Sequence, residues 1–218
     1  MLNLADGLAT ISNRVGRGVS WLILPLIFII MFDVITRKIE YIATWSADIT
    51  IEYGYSVSFI LQDLQWHIHG VLLMLTFGMG YLANAHVRVD IFREMGARRT
   101  QCWIEFIGLV FLAIPFLIFA LVYSIDMVTL SYHQGEGSES LVGIPWRYVI
   151  KSVLPIGFLI LLFAAVATLI RVATFLFGSD QSRSRAEENI QFFTDIAVLP
   201  KASLDNADDV IAVDGEPR

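Results

Sequence analysis

Residues 66–90 read WHIHGVLLMLTFGMGYLANAHVRVD. From Trp66 to Ala85 there is no Asp, Glu, Lys or Arg, and about 20 such residues is the length an α-helix needs to cross the hydrocarbon of a bilayer. The pentapeptide His86-Val87-Arg88-Val89-Asp90 then opens a basic segment that ends at Arg99, so it stands where a helix leaves the membrane. Side chains at such an exit anchor the helix in headgroups, set its orientation, or dock a partner.

Three more runs pass the same length test. With residues 66–85 they give spans at about 18–36, 66–85, 103–125 and 153–177, a four-span membrane domain over residues 1–178. Composition agrees. The chain of 218 residues is 56% hydrophobic and 17% charged with a mean hydropathy of +0.65, more apolar than a soluble core can hide. Pro25 and Pro115 fall inside spans and predict kinks, while Pro155 falls in a first turn, where a missing N–H costs little. The first span follows Arg14 and Arg17 but has no small-residue cleavage site after it, and reads as an uncleaved anchor.

The formal charge of −6 lies mostly in the tail. Residues 179–218 carry nine acids and four bases, so they form an acidic tail, and residues 1–178 are close to neutral. Nothing here suggests nucleic-acid binding. Cys102 is the only cysteine, which excludes an internal disulfide and a thiolate metal cluster.

Four spans put nine Lys and Arg residues, among them Arg88 to Arg99, on one side and four (Arg37, Lys38, Arg147, Lys151) on the other. The positive-inside rule then predicts both termini and residues 86–90 in the cytoplasm. Residues 41–64 tempt a fifth span, yet Asp48, Glu52 and Asp63 would be costly in hydrocarbon. Trp45, Ile49, Tyr53, Ile60 and Leu64 recur at helical spacing, which predicts an amphipathic helix along the outer interface between the first and second spans. The fold class is therefore all-α integral membrane, four transmembrane helices plus this interfacial helix. Leu4, Leu8, Ile11 and Val15 predict a surface helix before the first span. In the tail, residues 184–199 predict a short helix, and residues 200–218 are polar enough for disorder.

A transporter that works alone places ionisable groups at mid-membrane. Asp33, Glu105 and Arg171 instead lie within about two turns of span ends, where they read as anchoring or snorkelling groups. His67 and His69 sit at one end of the second span, His86 at the other, and His133 in the last outer loop. Haem ligation wants facing histidines at matching depth, a pattern that His133 approaches only at the outer surface.

These residues carry a more specific resemblance. Asp63-Leu64-Gln65-Trp66-His67, Gly80-Tyr81-Leu82 and His86-Val87-Arg88-Val89-Asp90, followed by Glu136-Gly137-Ser138, Gly143-Ile144-Pro145 and Lys151-Ser152-Val153-Leu154-Pro155-Ile156-Gly157-Phe158, resemble the small (Q-type) membrane subunit of tripartite ATP-independent periplasmic (TRAP) transporters. The match departs at Asp63, where Glu is usual. The resemblance implies a non-enzymatic permease subunit of the bacterial inner membrane, without a cofactor of its own. Its implied partners are a large elevator-type membrane subunit that carries solute and sodium, and a periplasmic solute-binding protein that captures organic acids. Two other readings of the sequence stay open: a haem-binding membrane anchor of a respiratory enzyme and a stand-alone homo-oligomeric transporter.

Under the first reading the work is done by surfaces. The candidate interface or membrane-anchoring residues are His86, Arg88 and Asp90 at the exit of the second span and Gly70, Gly78 and Gly80 within it. Trp45, Trp66, Glu136 and Lys151 complete the set on the outer side. Small residues let backbones approach closely, and they serve the chain's own bundle as readily as a partner's helix.

Overall fold

The computed structural model describes residues 2–85, 97–138 and 144–190. All regular structure among them is helical. Helix α1 runs Leu2–Ser20, α2 Ile23–Lys38, α3 Glu40–Tyr53 and α4 Val57–Leu82. After them come α5 (Arg98–Gly108), a π-helical turn Leu109–Ala113, α6 (Ile114–His133), α7 (Arg147–Lys151), α8 (Val153–Phe177) and α9 (Asp180–Asn189).

The prolines decide where long helices break. Pro25 has no N–H, and its ring crowds the carbonyl four residues back, at Trp21. The chain turns there: the Leu22 amide bonds the Val19 carbonyl at 2.8 Å and the Leu24 amide bonds the Trp21 carbonyl at 3.3 Å. The expected kink inside one span is thus a junction between two helices. Pro115 has Phe111 four residues back, and that carbonyl lies in the π turn, whose wider winding makes room for the ring.

Among the described residues, three stretches are long and apolar enough to cross a membrane: Leu2–Lys38, Arg98–His133 and Arg147–Phe177. Helix α4 is not one of them. At 26 residues it is about 39 Å long, but Gln62, Asp63, Gln65, His67 and His69 dilute its first half.

The helix predicted over 41–64 is in fact two. Gly54 adopts a left-handed φ of 74°, which only glycine takes without strain, and this ends α3 after Tyr53. Residues 57–64 then belong to α4. Helix α3 buries none of its side chains.

Packing centres on α1, α4 and α8, through small residues rather than large ones. In lipid, apolar bulk has no reason to turn inward, so helices associate where backbones can come close. A Cβ on Gly157 would stand 2.8 Å from Met74 Cβ, and one on Gly16 would stand 2.5 Å from Met79 Cβ. A Cβ on Gly78 would stand 2.9 Å from Ile160 Cγ2 and would also strike Ser12 Oγ. By the same logic α1, expected on the surface, packs into the bundle against α4 and α8. Ala5, Ala9, Ser12 and Gly16 are its buried residues, while Leu4 and Ile11 point outward.

The tail begins as part of the body. Helix α9 starts at Asp180, four residues before the helix expected from Ser184, and Ala186 and Ile190 pack with Cys102, Val172, Phe175 and Leu176. The Arg183 Nε donates to the Phe175 carbonyl at 2.9 Å, satisfying a carbonyl near the end of α8.

Candidate functional site

The polar residues of the bundle gather at its two ends. At one end the start of α4 meets the chain that joins α6 to α8. Asp63 is the hub. Its Oδ2 accepts the Ser138 hydroxyl at 2.7 Å and the Ile144 amide at 2.9 Å, contacts that span 75 and 81 residues of sequence. The His67 Nδ1 lies in hydrogen-bonding contact with the Asp63 carbonyl, which directs the ring along its own helix.

Beside it, Glu136 ties the loop to α7. Its Oε2 accepts from the Lys151 ammonium and, at 2.6 Å, from the Ser131 hydroxyl, and Arg147 Nε lies 3.8 Å from its Oε1. The main chain adds two bonds: Arg147 N to Glu136 O at 3.0 Å and Glu136 N to Ser131 O at 3.2 Å. The Lys151 bond, then the Ser131 bond, hold the Glu136 carboxyl below the usual glutamate range, with smaller help from the charges of Lys151 and Arg147. Between the two clusters lies a cavity of about 330 Å³, lined by Asp63, Trp66, His67, Ser138, Ile144, Arg147 and Ile150.

At the opposite end the pairs are different. The Tyr81 hydroxyl donates to Glu105 Oε1 at 3.2 Å, and Arg98 pairs with Glu187. Arg171 is only 8% exposed, so it does not snorkel to the surface as expected; its Nη2 donates to Asp6 Oδ1 at 3.0 Å. Back at the Asp63 end, Asp33, expected to anchor in headgroups, is buried at 6% exposure on α2 and receives Arg37, which lies beside Gln62 of α4, through two bonds, of 3.2 and 2.8 Å.

Of the candidate residues, the structure brings Glu136 and Lys151 into one ion pair and sets Trp66, largely exposed, at the cavity beside them. Trp45 is exposed on α3. The three glycines part company: Gly78 is buried within the bundle, Gly70 has open space where a Cβ would stand, and Gly80 lines a groove of about 430 Å³ with Ser20, Ile23 and Met79. His86, Arg88 and Asp90 lie outside the described residues.

Asp63, Ser138, Arg147 and Asp6 were not among the candidates. The first two sit in the quoted motifs, and their meeting across more than 70 residues is the link that the motifs alone do not state. Asp6 had a local signal: an acid set between Ala5 and Ala9 on a small-residue face needs a partner.

The family model described as tripartite ATP-independent periplasmic transporters, DctQ component, matches residues 26–175. Neither a curated protein nor a solved structure matches the chain.

Proposed function

Since the chain belongs to the DctQ component family, the small membrane component of TRAP transporters, we propose that it is a scaffold with no solute site of its own. In this reading it widens the fixed domain against which a large elevator-type subunit moves, and a periplasmic protein delivers the solute. The solutes would be organic acids and the coupling ion sodium, bound on the large subunit.

One observation carries this reading. Several charged groups within the helices are held near helix ends, Asp33 by Arg37, Asp6 by Arg171 and Glu105 by the Tyr81 hydroxyl. The middle of the bundle is occupied by close packing at Gly78, Gly157 and Ile160. Such a core favours rigidity over passage of a solute.

We also propose four crossings, with α4 as the second. Asp63 at its start reaches Ser138 and Ile144, which lie between the spans α5–α6 and α8. Tyr81 at its other end reaches Glu105, near the beginning of the α5–α6 span. A helix that touches both ends of a spanning neighbour covers the same depth. The polar side chains of its first half then fall near the outer interface, beside the Asp63 cluster. The protein sits in the inner membrane with both termini cytoplasmic, the outer clusters periplasmic, and α3 along the outer interface or against a partner.

Reconstitution tests the scaffold role. Solute uptake into proteoliposomes is expected from the large subunit, the solute-binding protein and this chain together, and from no mixture that lacks the large subunit. Uptake by this chain alone overturns it. For the topology, cysteines introduced at Ser46 and Ser138 in a Cys102→Ser background are expected to react with an impermeant reagent from the periplasmic side. A cysteine at Ser184 is expected to react only after the membrane is opened.

A further inference from the structure

Helix α4 exposes Phe59, Trp66, His69 and Leu73, and the steps between them set all four on one side of the helix. The same stripe runs on through Thr76 to Gly80, where Ser20 and Ile23 join it in lining the groove of about 430 Å³ at the junction of α1 and α2. Thr76 turns its hydroxyl back to the Leu72 carbonyl at 2.7 Å. His69 makes no hydrogen bond or ion pair among the described residues.

His69 also lies too deep for headgroups. Asp63, in the outer cluster, and Tyr81, bonded to Glu105 at the other end, are 18 residues apart. That is about 27 Å along α4, close to the roughly 30 Å of bilayer hydrocarbon. His69 stands six residues, or about 9 Å, inside the Asp63 level. A Lys or Arg stem can carry its charge out along apolar surface, but an imidazole on one methylene does not cover that distance. His67 shows the contrast: it lines the polar cavity, and its Nδ1 contacts the Asp63 carbonyl.

A neutral imidazole offers one donor and one acceptor. Acyl chains answer neither, and ionisable side chains within membrane helices face protein or a watery cavity rather than lipid. His69 points away from its own bundle, so the group that answers it belongs to another chain. We propose that this stripe seats one transmembrane helix of the large subunit, which brings a hydroxyl, amide or carboxyl side chain to His69 and fills the groove at Thr76 and Gly80. Small residues there let the two backbones approach. A second copy of this chain is the poorer occupant, because a two-fold axis sets the groove against its own image and leaves it unfilled. A periplasmic protein does not reach this depth. The proposal rests on the scaffold reading and on the crossing by α4, and it adds the face and the residue that recognise the partner.

The purified full-length chain, labelled at its C-terminus, is titrated with the purified large subunit in detergent and followed by fluorescence anisotropy. His69→Leu is expected to weaken binding about threefold, the factor equivalent to ~0.6 kcal/mol for a hydrogen bond between membrane helices. His69→Asn, which keeps a donor and an acceptor, is expected to retain most of the affinity. Thr76→Phe, which fills the groove, should weaken binding about tenfold or more through overpacking. The melting midpoint of the chain alone should be unchanged in His69→Leu, since the residue is exposed; a lowered midpoint would give His69 a role in its own fold and overturn the proposal. A photo-reactive residue at Leu73, in membranes that hold both subunits, names the occupant. Adducts with the large subunit support the proposal, and adducts with lipid alone or with a second copy of this chain overturn it. Unchanged binding in His69→Leu overturns this face and leaves the scaffold reading standing, whereas a natural chain that does not bind the large subunit at all sinks both.

Discussion

Arg171 and Asp6 hold α1 to α8 by an unequal ion pair. The Arg171 side chain is 10% exposed and has a buried Nε without a hydrogen-bond partner among the described residues, whereas the Asp6 side chain is 39% exposed and can be hydrated. Losing the acid therefore strands a charge, and losing the base strands little. Asp6→Ala should cost up to about 3–5 kcal/mol, the range for breaking a buried pair. Arg171→Met should cost clearly less, and thermal melts in detergent will give the order. Glycine substitutions test close approach in the same way. Gly157→Val should destabilise by about 1–3 kcal/mol through overpacking against Met74. Gly70→Ala, with open space around it, should be neutral or stabilising by up to ~1 kcal/mol because alanine is the better helix former.

At the scale of elements, the loop between α6 and α7 is fastened by Glu136. Its carboxyl titrates lower in the fold than in the unfolded chain, so its contribution is complete above the unfolded value of about 4.3. It is lost as pH falls through the lower folded value. Lys151→Met should lower the thermal midpoint at pH 7, and the gap from the natural protein should close as the pH falls below the unfolded glutamate value of about 4.3. A gap that widens on acidification would give the clamp the wrong sign. Much of the helical order was legible in residue spacing, including apolar lengths and the breaks near Pro25 and Pro115. The packing of α1 into the bundle was not, because the repeat of Leu4, Leu8, Ile11 and Val15 reads as the apolar face of a surface helix. With lipid outside, Ala5, Ala9, Ser12 and Gly16 turn in. The end of α3 had a local sign, Gly54, but an apolar repeat that ran on to Leu64 masked it. The Asp63 cluster was legible only as separate motifs, since the bonds that join them link residues 75 and 81 positions apart.

The whole molecule exposes much of its apolar surface. Phe28, Phe111, Phe116 and Phe119 are each more than half exposed, and α3 has no buried side chain at all. Lipid covers such surface without ordering it, whereas a partner that binds only the folded chain stabilises it by mass action. Adding the purified large subunit should therefore raise the thermal midpoint of this chain in detergent, in a concentration-dependent way, and a midpoint that stays fixed would argue against direct association. The break at Trp21–Leu22 also bears on synthesis. Helix α1 leaves the ribosome before α8, yet the partner of Asp6 is Arg171, 165 residues later. At translation rates of about 5–20 residues per second that is a delay of roughly 8–33 s. During it, the small-residue face of α1 and its acid lack their partners on α8. Helix α1 is thus made well before it can be seated against α8, and the turn before Pro25 separates it from α2.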